Sequence, residues 1–224
     1  MCGRFTLSYK ANELQLALGL NDVPQELVPR YNIAPSQPLA AVLDEKRRNV
    51  EFLYWGLVPS WAKDIQIGNR LINARSETID EKPSFRAAFQ RRRCLILADG
   101  FYEWKKTGDK KVPSIPFYFH MKDKRPFAFA GIWEIWQSPD GGELWSAAII
   151  TTKANPVVAP IHDRMPVILD QQVMWEWLKP NSPTNVKNML KPYPKEDLTV
   201  YAVNRLVNNA KIDQQEMILP FQEK

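Results

Sequence analysis

The chain is short of the residues on which most catalytic chemistry is built. Among its 224 residues there are two cysteines, Cys2 and Cys94, and two histidines, His120 and His162. Two cysteines cannot form a disulfide framework, and no CxxC or HxxxH pair offers the spacing of a zinc site, so neither a metal nor another cofactor is expected. No stretch approaches the 18 or so apolar residues of a membrane span, and the opening Met-Cys-Gly-Arg carries no apolar run of the signal-peptide kind. A soluble, cytoplasmic protein with reduced thiols is expected. No glycine falls in a GxGxxG or Walker pattern, which removes the usual nucleotide-binding loops, and there is no internal repeat.

What is present suits a globular fold. A hydrophobic content of 45% over 224 residues is enough for one sizeable core, and no break in composition divides the chain, so a single domain over 1–224 is expected. Leu14, Ala17 and Leu18 recur at helical spacing and predict a helix over 12–20; Phe85, Ala88 and Phe89 predict another over 83–90; Asp170 reads as the N-cap of a third over 171–178. Between them lie short apolar, β-rich runs at 39–43, 50–55, 94–98, 115–120, 127–133, 144–152, 166–169 and 199–203. With 18 prolines spread through the connections and no βαβ alternation, the fold class is α+β: a curled, barrel-like, mostly antiparallel β-sheet with peripheral helices.

The net charge is +5, and the excess is clustered. Arg91-Arg92-Arg93 follows the second helix, and Lys105-Lys106 with Lys110-Lys111 surrounds a turn at Thr107-Gly108-Asp109; such runs suit a polyanion, the plain alternative being a solvated face. Cys94, inside Cys-Leu-Ile-Leu-Ala, reads as a buried strand residue, and His120, alternating within a Phe-Tyr-Phe run, reads as structural. Asp163 directly follows His162. Neighbouring side chains in an extended segment point to opposite faces, so this pair is not expected to act as a histidine with its orienting carboxylate, and a serine triad has no support.

Cys2 is the most informative residue. Loss of Met1 would place an α-amine and a thiolate on one residue, and that pair attacks a carbonyl twice. Around neutral pH roughly a quarter of an α-amine is unprotonated, against about 0.1% of a lysine, so the N-terminus is the better amine nucleophile by about two orders of magnitude. The thiolate can then close on the imine to give a five-membered thiazolidine, helped by an effective molarity on the order of 10⁵ M. The natural substrate is an aldehyde.

Further polar residues interrupt apolar or turn segments: Asn32 in Arg30-Tyr31-Asn32-Ile33-Ala34-Pro35, Asn73 and Arg75 in Leu71-Ile72-Asn73-Ala74-Arg75-Ser76-Glu77-Thr78, Glu103 in Asp99-Gly100-Phe101-Tyr102-Glu103-Trp104, and His162 in Ile161-His162-Asp163-Arg164-Met165-Pro166. With Met-Cys-Gly-Arg and Trp55-Gly56-Leu57-Val58-Pro59, these blocks resemble the SOS-response-associated peptidase (SRAP) family over nearly the whole chain. The resemblance implies recognition of abasic sites in single-stranded DNA and a covalent thiazolidine crosslink through Cys2. It places Asn73, Glu103 and His162 around that nucleophile: Glu103 to take the amine proton, His162 to protonate the sugar oxygen, and Asn73 to orient the carbonyl. Arg4 and Arg75 match family residues that hold phosphates, and Pro35 and Trp61 could wedge or stack beside a sugar that has no base. Abasic single-stranded DNA is then the partner, with no obligate protein partner and a monomer expected. The protein would be cytoplasmic, gathering at the nucleoid when DNA-bound. Some longer relatives carry a C-terminal recruitment tail, which is not expected in a chain ending at Gln222-Glu223-Lys224. Strand cleavage by a lyase step belongs to the same resemblance. An autoproteolytic cysteine peptidase with an N-terminal nucleophile, and a non-covalent reader of modified DNA, are the alternatives.

Overall fold

The computed structural model describes residues 2–109, 111–180 and 183–221. In chain order its elements are β1 (Phe5–Leu7), α1 (Ala11–Leu18), β2 (Arg30–Ile33), β3 (Pro38–Val42), β4 (Val50–Trp55), β5 (Asn73–Arg75), α2 (Arg86–Arg91), β6 (Arg93–Ala98), β7 (Gly100–Lys105), β8 (Ile115–Met121), β9 (Phe127–Gln137), β10 (Glu143–Lys153), β11 (Arg164–Pro166), β12 (Ile168–Leu169), α3 (Met174–Leu178), α4 (Pro183–Lys187) and β13 (Leu198–Ala202). The α+β class and the curled, mostly antiparallel sheet read from the sequence are what the chain adopts. Strands β10, β4, β3, β6 and β9 pair in that order, and β9 pairs with β10 again, which closes a five-stranded barrel. Closure removes the unpaired edges that an open sheet would leave. A second sheet runs β13-β8-β7-β1-β2 beside it.

A one-residue corner joins the two layers. β6 belongs to the barrel and β7 to the second sheet, and only Asp99 separates them. The corner is held by its own polar chemistry: the Asp99 carboxylate accepts from the hydroxyls of Thr6 and Ser8 and, at 2.8 Å, from the Ser8 backbone N–H. Gly100 follows because a Cβ there would lie 2.2 Å from the Tyr118 hydroxyl oxygen. Past the corner an aromatic joint packs sheet on barrel, with Phe5 edge-on to Trp55 and Phe129 at 5.1 and 5.7 Å and Phe101 edge-on to Phe129 at 6.2 Å. Burial of each such ring is worth about 1.5–3 kcal/mol, so this joint is a principal source of the register between the two layers.

The helices are peripheral. α2 and α3 cover β6 and β9, with Trp177 donating from Nε1 to the Cys94 carbonyl at 3.0 Å. The Arg91–Arg93 run is not one solvated face. Arg93 is buried and its guanidinium donates to the carbonyls of Phe89, Gln90, Trp177 and Lys179, the acceptors left unpaired where α2 and α3 end. Arg92 pairs with Glu134 at 2.5 Å, which leaves Arg91 exposed. Asp170 also does less than the sequence suggests: it accepts from the N–H groups of Gln172 and Val173, capping a turn, and α3 begins only at Met174. Cys94 is buried in β6, and His120 is buried with Nδ1 2.6 Å from the Met121 carbonyl, so both are structural as read.

The loop after β4 is pinned by two glycines. Gly56 has φ +137°, and a Cβ there would meet the Gly68 carbonyl oxygen at 2.8 Å. Gly56→Ala is therefore expected to destabilise the protein by about 2 kcal/mol or more, from the strained backbone and the clash together. Urea unfolding measures this; a midpoint unchanged from the parent would show that the two backbones separate freely.

Candidate functional site

Four of the residues singled out in the sequence, Cys2, Asn73, Glu103 and His162, converge where barrel and sheet meet. β1 pairs with β7 through Phe5↔Phe101, and the ladder continues upstream as the Tyr102 N–H donates to the Arg4 carbonyl at 3.0 Å, which lays residues 2–4 along the strand carrying Glu103. β10 supplies the other side. β5 runs parallel to one of its edges with Ile149↔Asn73, and β11 runs antiparallel to the other with Lys153↔Arg164, just after His162.

Cys2 is wholly buried, and its Sγ lies 3.9 Å from the Arg4 carbonyl oxygen. Asn73 donates from Nδ2 to the Cys2 carbonyl at 2.8 Å, while its Oδ1 is buried and has no hydrogen-bond partner among the described residues. The Glu103 side chain is only 3% exposed and its Oε2 stands 4.0 Å from His162 Nε2. Burial raises the Glu103 carboxyl to about 7, so near neutral pH it exchanges a proton readily in either direction. Burial acts on the thiol as well: desolvation, then the charge of Glu103, push the Cys2 thiol well above its ordinary range. Its resting form is therefore the neutral thiol, not the thiolate that the sequence reading counted on.

His162 is held differently from expectation. Its Nδ1 accepts the Arg164 backbone N–H at 3.0 Å and also lies 3.0 Å from Asp163 Oδ1. Asp163 sits in a bend, not an extended segment, so the alternation that was expected to separate the two side chains does not apply. Burial lowers the His162 pKa, the amino-terminal charge and Lys106 act in the same direction, and Asp163 opposes them. The Arg164 guanidinium grips Glu77 with both arms at 2.6 and 2.9 Å and donates to the Thr151 carbonyl at 2.7 Å, tying the end of β5 to β11.

The four residues assigned to DNA are placed unequally. Arg75 is exposed, and among the described residues its side chain makes no hydrogen bond or ion pair. Arg4 is half-buried, and its Nη1 donates to Asn32 Oδ1 at 2.7 Å and to the Val207 carbonyl at 2.6 Å. Asn32 in turn donates to the carbonyls of Asn209 and Ile212, so Arg4 ties down the 207–212 segment whatever else it does. Trp61 is 59% exposed on the rim of a cavity of about 630 Å³ that Lys63, Gln66, Asn69 and Arg70 also line. Pro35 is half-buried, and its neighbour Ser36 reaches Asn69 at 3.1 Å, linking the Pro35 turn to that cavity. Lys105, Lys106 and Lys111 are exposed; Lys110, Met1 and the chain's final three residues lie outside the described residues. No group of three metal-ligating side chains is found among the described residues, and none of their helices is long and apolar enough to cross a membrane.

Asp163, Glu77 and Arg164 were not picked out from the sequence. Asp163 was legible only as a neighbour in the chain, and its reach to His162 depends on a bend that no local pattern announces.

A family model described as SOS response associated peptidase (SRAP) matches residues 1–210. The abasic site processing protein YoqW of Bacillus subtilis (strain 168) is 43% identical over 223 residues, covering 97% of this chain and 99% of its own length. The abasic site processing protein HMCES of Pongo abelii is 29% identical over 269 residues, covering 98% of this chain and 76% of its own. A crystal structure of a protein from Bacteroides thetaiotaomicron superposes with a TM-score of 0.89 at 28% identity over 99% of this chain and all of that one. With the family model running through every strand that builds the site, the chain belongs to the SRAP family.

Proposed function

We propose that the protein processes abasic sites in single-stranded DNA by forming a covalent thiazolidine with the lesion through Cys2 after loss of Met1, shielding it during the DNA damage response. The observation that carries this reading is the placement of one buried cysteine, its carbonyl held by Asn73, beside a carboxyl of pKa about 7 that stands 4.0 Å from a histidine. Relatives named abasic site processing proteins supply the substrate class.

The chemistry runs in two additions. His162 gives a proton to the sugar ring oxygen as the C1′–O4′ bond breaks, and the C1′ hydroxyl passes its proton to water, leaving the aldehyde. The free amine of Cys2 then attacks C1′, Glu103 takes the proton the amine sheds, and loss of water leaves an imine. The thiol adds across the C=N bond: sulfur bonds to C1′, and the S–H proton ends on the ring nitrogen, with Glu103 the nearest relay. The raised thiol pKa suits this order, because a neutral thiol does not compete with the amine for the aldehyde. It also counts against a cysteine peptidase, whose nucleophile needs a lowered pKa. Ring closure removes the imine that would otherwise make C2′ acidic, so the second addition suppresses strand cleavage by β-elimination. The buried Asn73 Oδ1, unpartnered among the described residues, provides an acceptor for a hydroxyl of the opened sugar.

The test is the intact mass of the protein after incubation with an abasic oligonucleotide. The expected species has lost Met1 and gained the oligonucleotide less one water. Full-length protein retaining Met1, with no adduct, would overturn the proposal.

Positioning is separable from chemistry. Arg75→Ala is expected to weaken binding to an uncrosslinkable single strand and to flatten its salt dependence by roughly 0.7 in log–log slope, the contribution of one phosphate. Arg4→Ala should also lower stability, because it frees the 207–212 segment. An unchanged slope in both variants would move DNA contact to Lys105, Lys106 and Lys111.

A further inference from the structure

We propose that Asp163 is a positioning residue for His162, its carboxylate accepting a hydrogen bond from the protonated Nδ1 so that the opposite nitrogen is left to exchange its proton with substrate. The inference rests on the reading of His162 as the acid given above, but its first test does not. Two groups meet the same ring nitrogen. The Arg164 backbone N–H points at Nδ1 from 3.0 Å, and the Asp163 carboxylate lies 3.0 Å away. A donor and an acceptor cannot both be satisfied by one nitrogen in one protonation state. With Nδ1 unprotonated, its lone pair takes the Arg164 N–H and the ring proton is on Nε2, facing Glu103. With Nδ1 protonated, Asp163 becomes the partner. His162 therefore has a partner in each state: the doubly protonated ring, its Nδ1–H held by Asp163, gives up the Nε2 proton and becomes the neutral Nδ1–H tautomer. The Nε2 lone pair is then free to take a proton back.

The charges around the ring decide the size of the effect. Glu103 faces Nε2 from β7, Lys106 acts from just beyond the same strand, the amino-terminal charge opposes protonation, and the Arg164 guanidinium is already committed to Glu77. Asp163 is the nearest negative charge to Nδ1, but its side chain is 86% exposed, so solvent screens it. Removing the charge should consequently lower the His162 midpoint by about 0.2–0.7 pH unit, the range of an exposed pair.

The chain has only two histidines, so the ring Cε1–H resonances of the whole protein can be followed through a pH titration, with His162→Gln to assign them. In Asp163→Asn and Asp163→Ala the His162 midpoint is expected to fall by that amount while His120 stays where it was, and Asp163→Glu should recover most of the shift. A His162 midpoint that does not move in either variant overturns the proposal, whatever happens to activity. Crosslinking to an abasic oligonucleotide, measured above the midpoint, should slow about two- to fivefold in Asp163→Asn, with affinity for intact single strands unchanged. If the midpoint falls but the rate does not, Asp163 still acts on His162 and it is the role of His162 as the acid that fails.

Discussion

Cys2→Ala is expected to eliminate the DNA adduct that survives denaturation, reducing it by at least about 10²-fold to background, while affinity for the abasic strand remains. The loss follows from the second addition, not the first. Alanine at this position still offers an α-amine once Met1 is gone, so the imine forms, but nothing closes on it and it hydrolyses when the protein unfolds. Borohydride present during the reaction should therefore recover an adduct from Cys2→Ala by reducing the C=N bond. Cys2→Ser should fall between the two, since an oxygen nucleophile closes the five-membered ring less readily than sulfur. A denaturation-stable adduct from Cys2→Ala at the parental level, without reductant, would exclude the thiazolidine.

Glu103→Gln is expected to slow adduct formation by about 10²-fold or more, the usual contribution of a positioned acid or base. In the parent the rate should rise with pH through about 7, as Glu103 becomes the carboxylate that accepts the amine proton, and that limb should vanish in the variant. The same shift has a thermodynamic sign. A carboxyl whose folded pKa lies above its unfolded value binds more protons when folded. Its contribution is present below about pH 4.5 and is lost as pH rises through about 7. The charged form thus costs the fold on the order of 3 kcal/mol at pH 8, an upper figure because part of the cost is relieved by neighbours. Glu103→Gln should then melt several degrees above the parent at pH 8 and close to it at pH 5. A variant that is less stable at both values would mean that the buried carboxylate is fully compensated.

The sequence was most readable where residues serve only the core. The runs at 50–55 and 94–98 became β4 and β6 almost residue for residue, because nothing polar interrupts their inward faces. The strands that escaped notice are β1, β2, β5 and β7, together with β11 except for Pro166, and they carry or flank Arg4, Asn32, Asn73, Arg75, Glu103 and His162. Each is short or broken by the polar side chain it presents, so periodicity weakens at the positions that build the site. Those residues were visible instead as polar intrusions and through family resemblance. Arg93 failed in the opposite way: a triplet of arginines reads as surface, but one of them is wanted inside to satisfy the carbonyl ends of two helices. Asp163 was hidden because the alternation of an extended chain does not hold in a bend.

The burial of Cys2 also sets an order of events in the life of the chain. The site draws on positions 2, 73, 103 and 162, and although β1 can pair early with β2, its pairing with β7 must wait until that strand has left the ribosome, nearly a hundred residues later. Once these long-range pairings form, the Cys2 carbonyl is hydrogen-bonded to Asn73 and the residue is wholly enclosed. An aminopeptidase needs its scissile bond extended in its own cleft. If the reactive form lacks Met1, trimming is consequently the work of translation, done on the nascent chain. The slow closure expected of such non-local pairings is what leaves time for it.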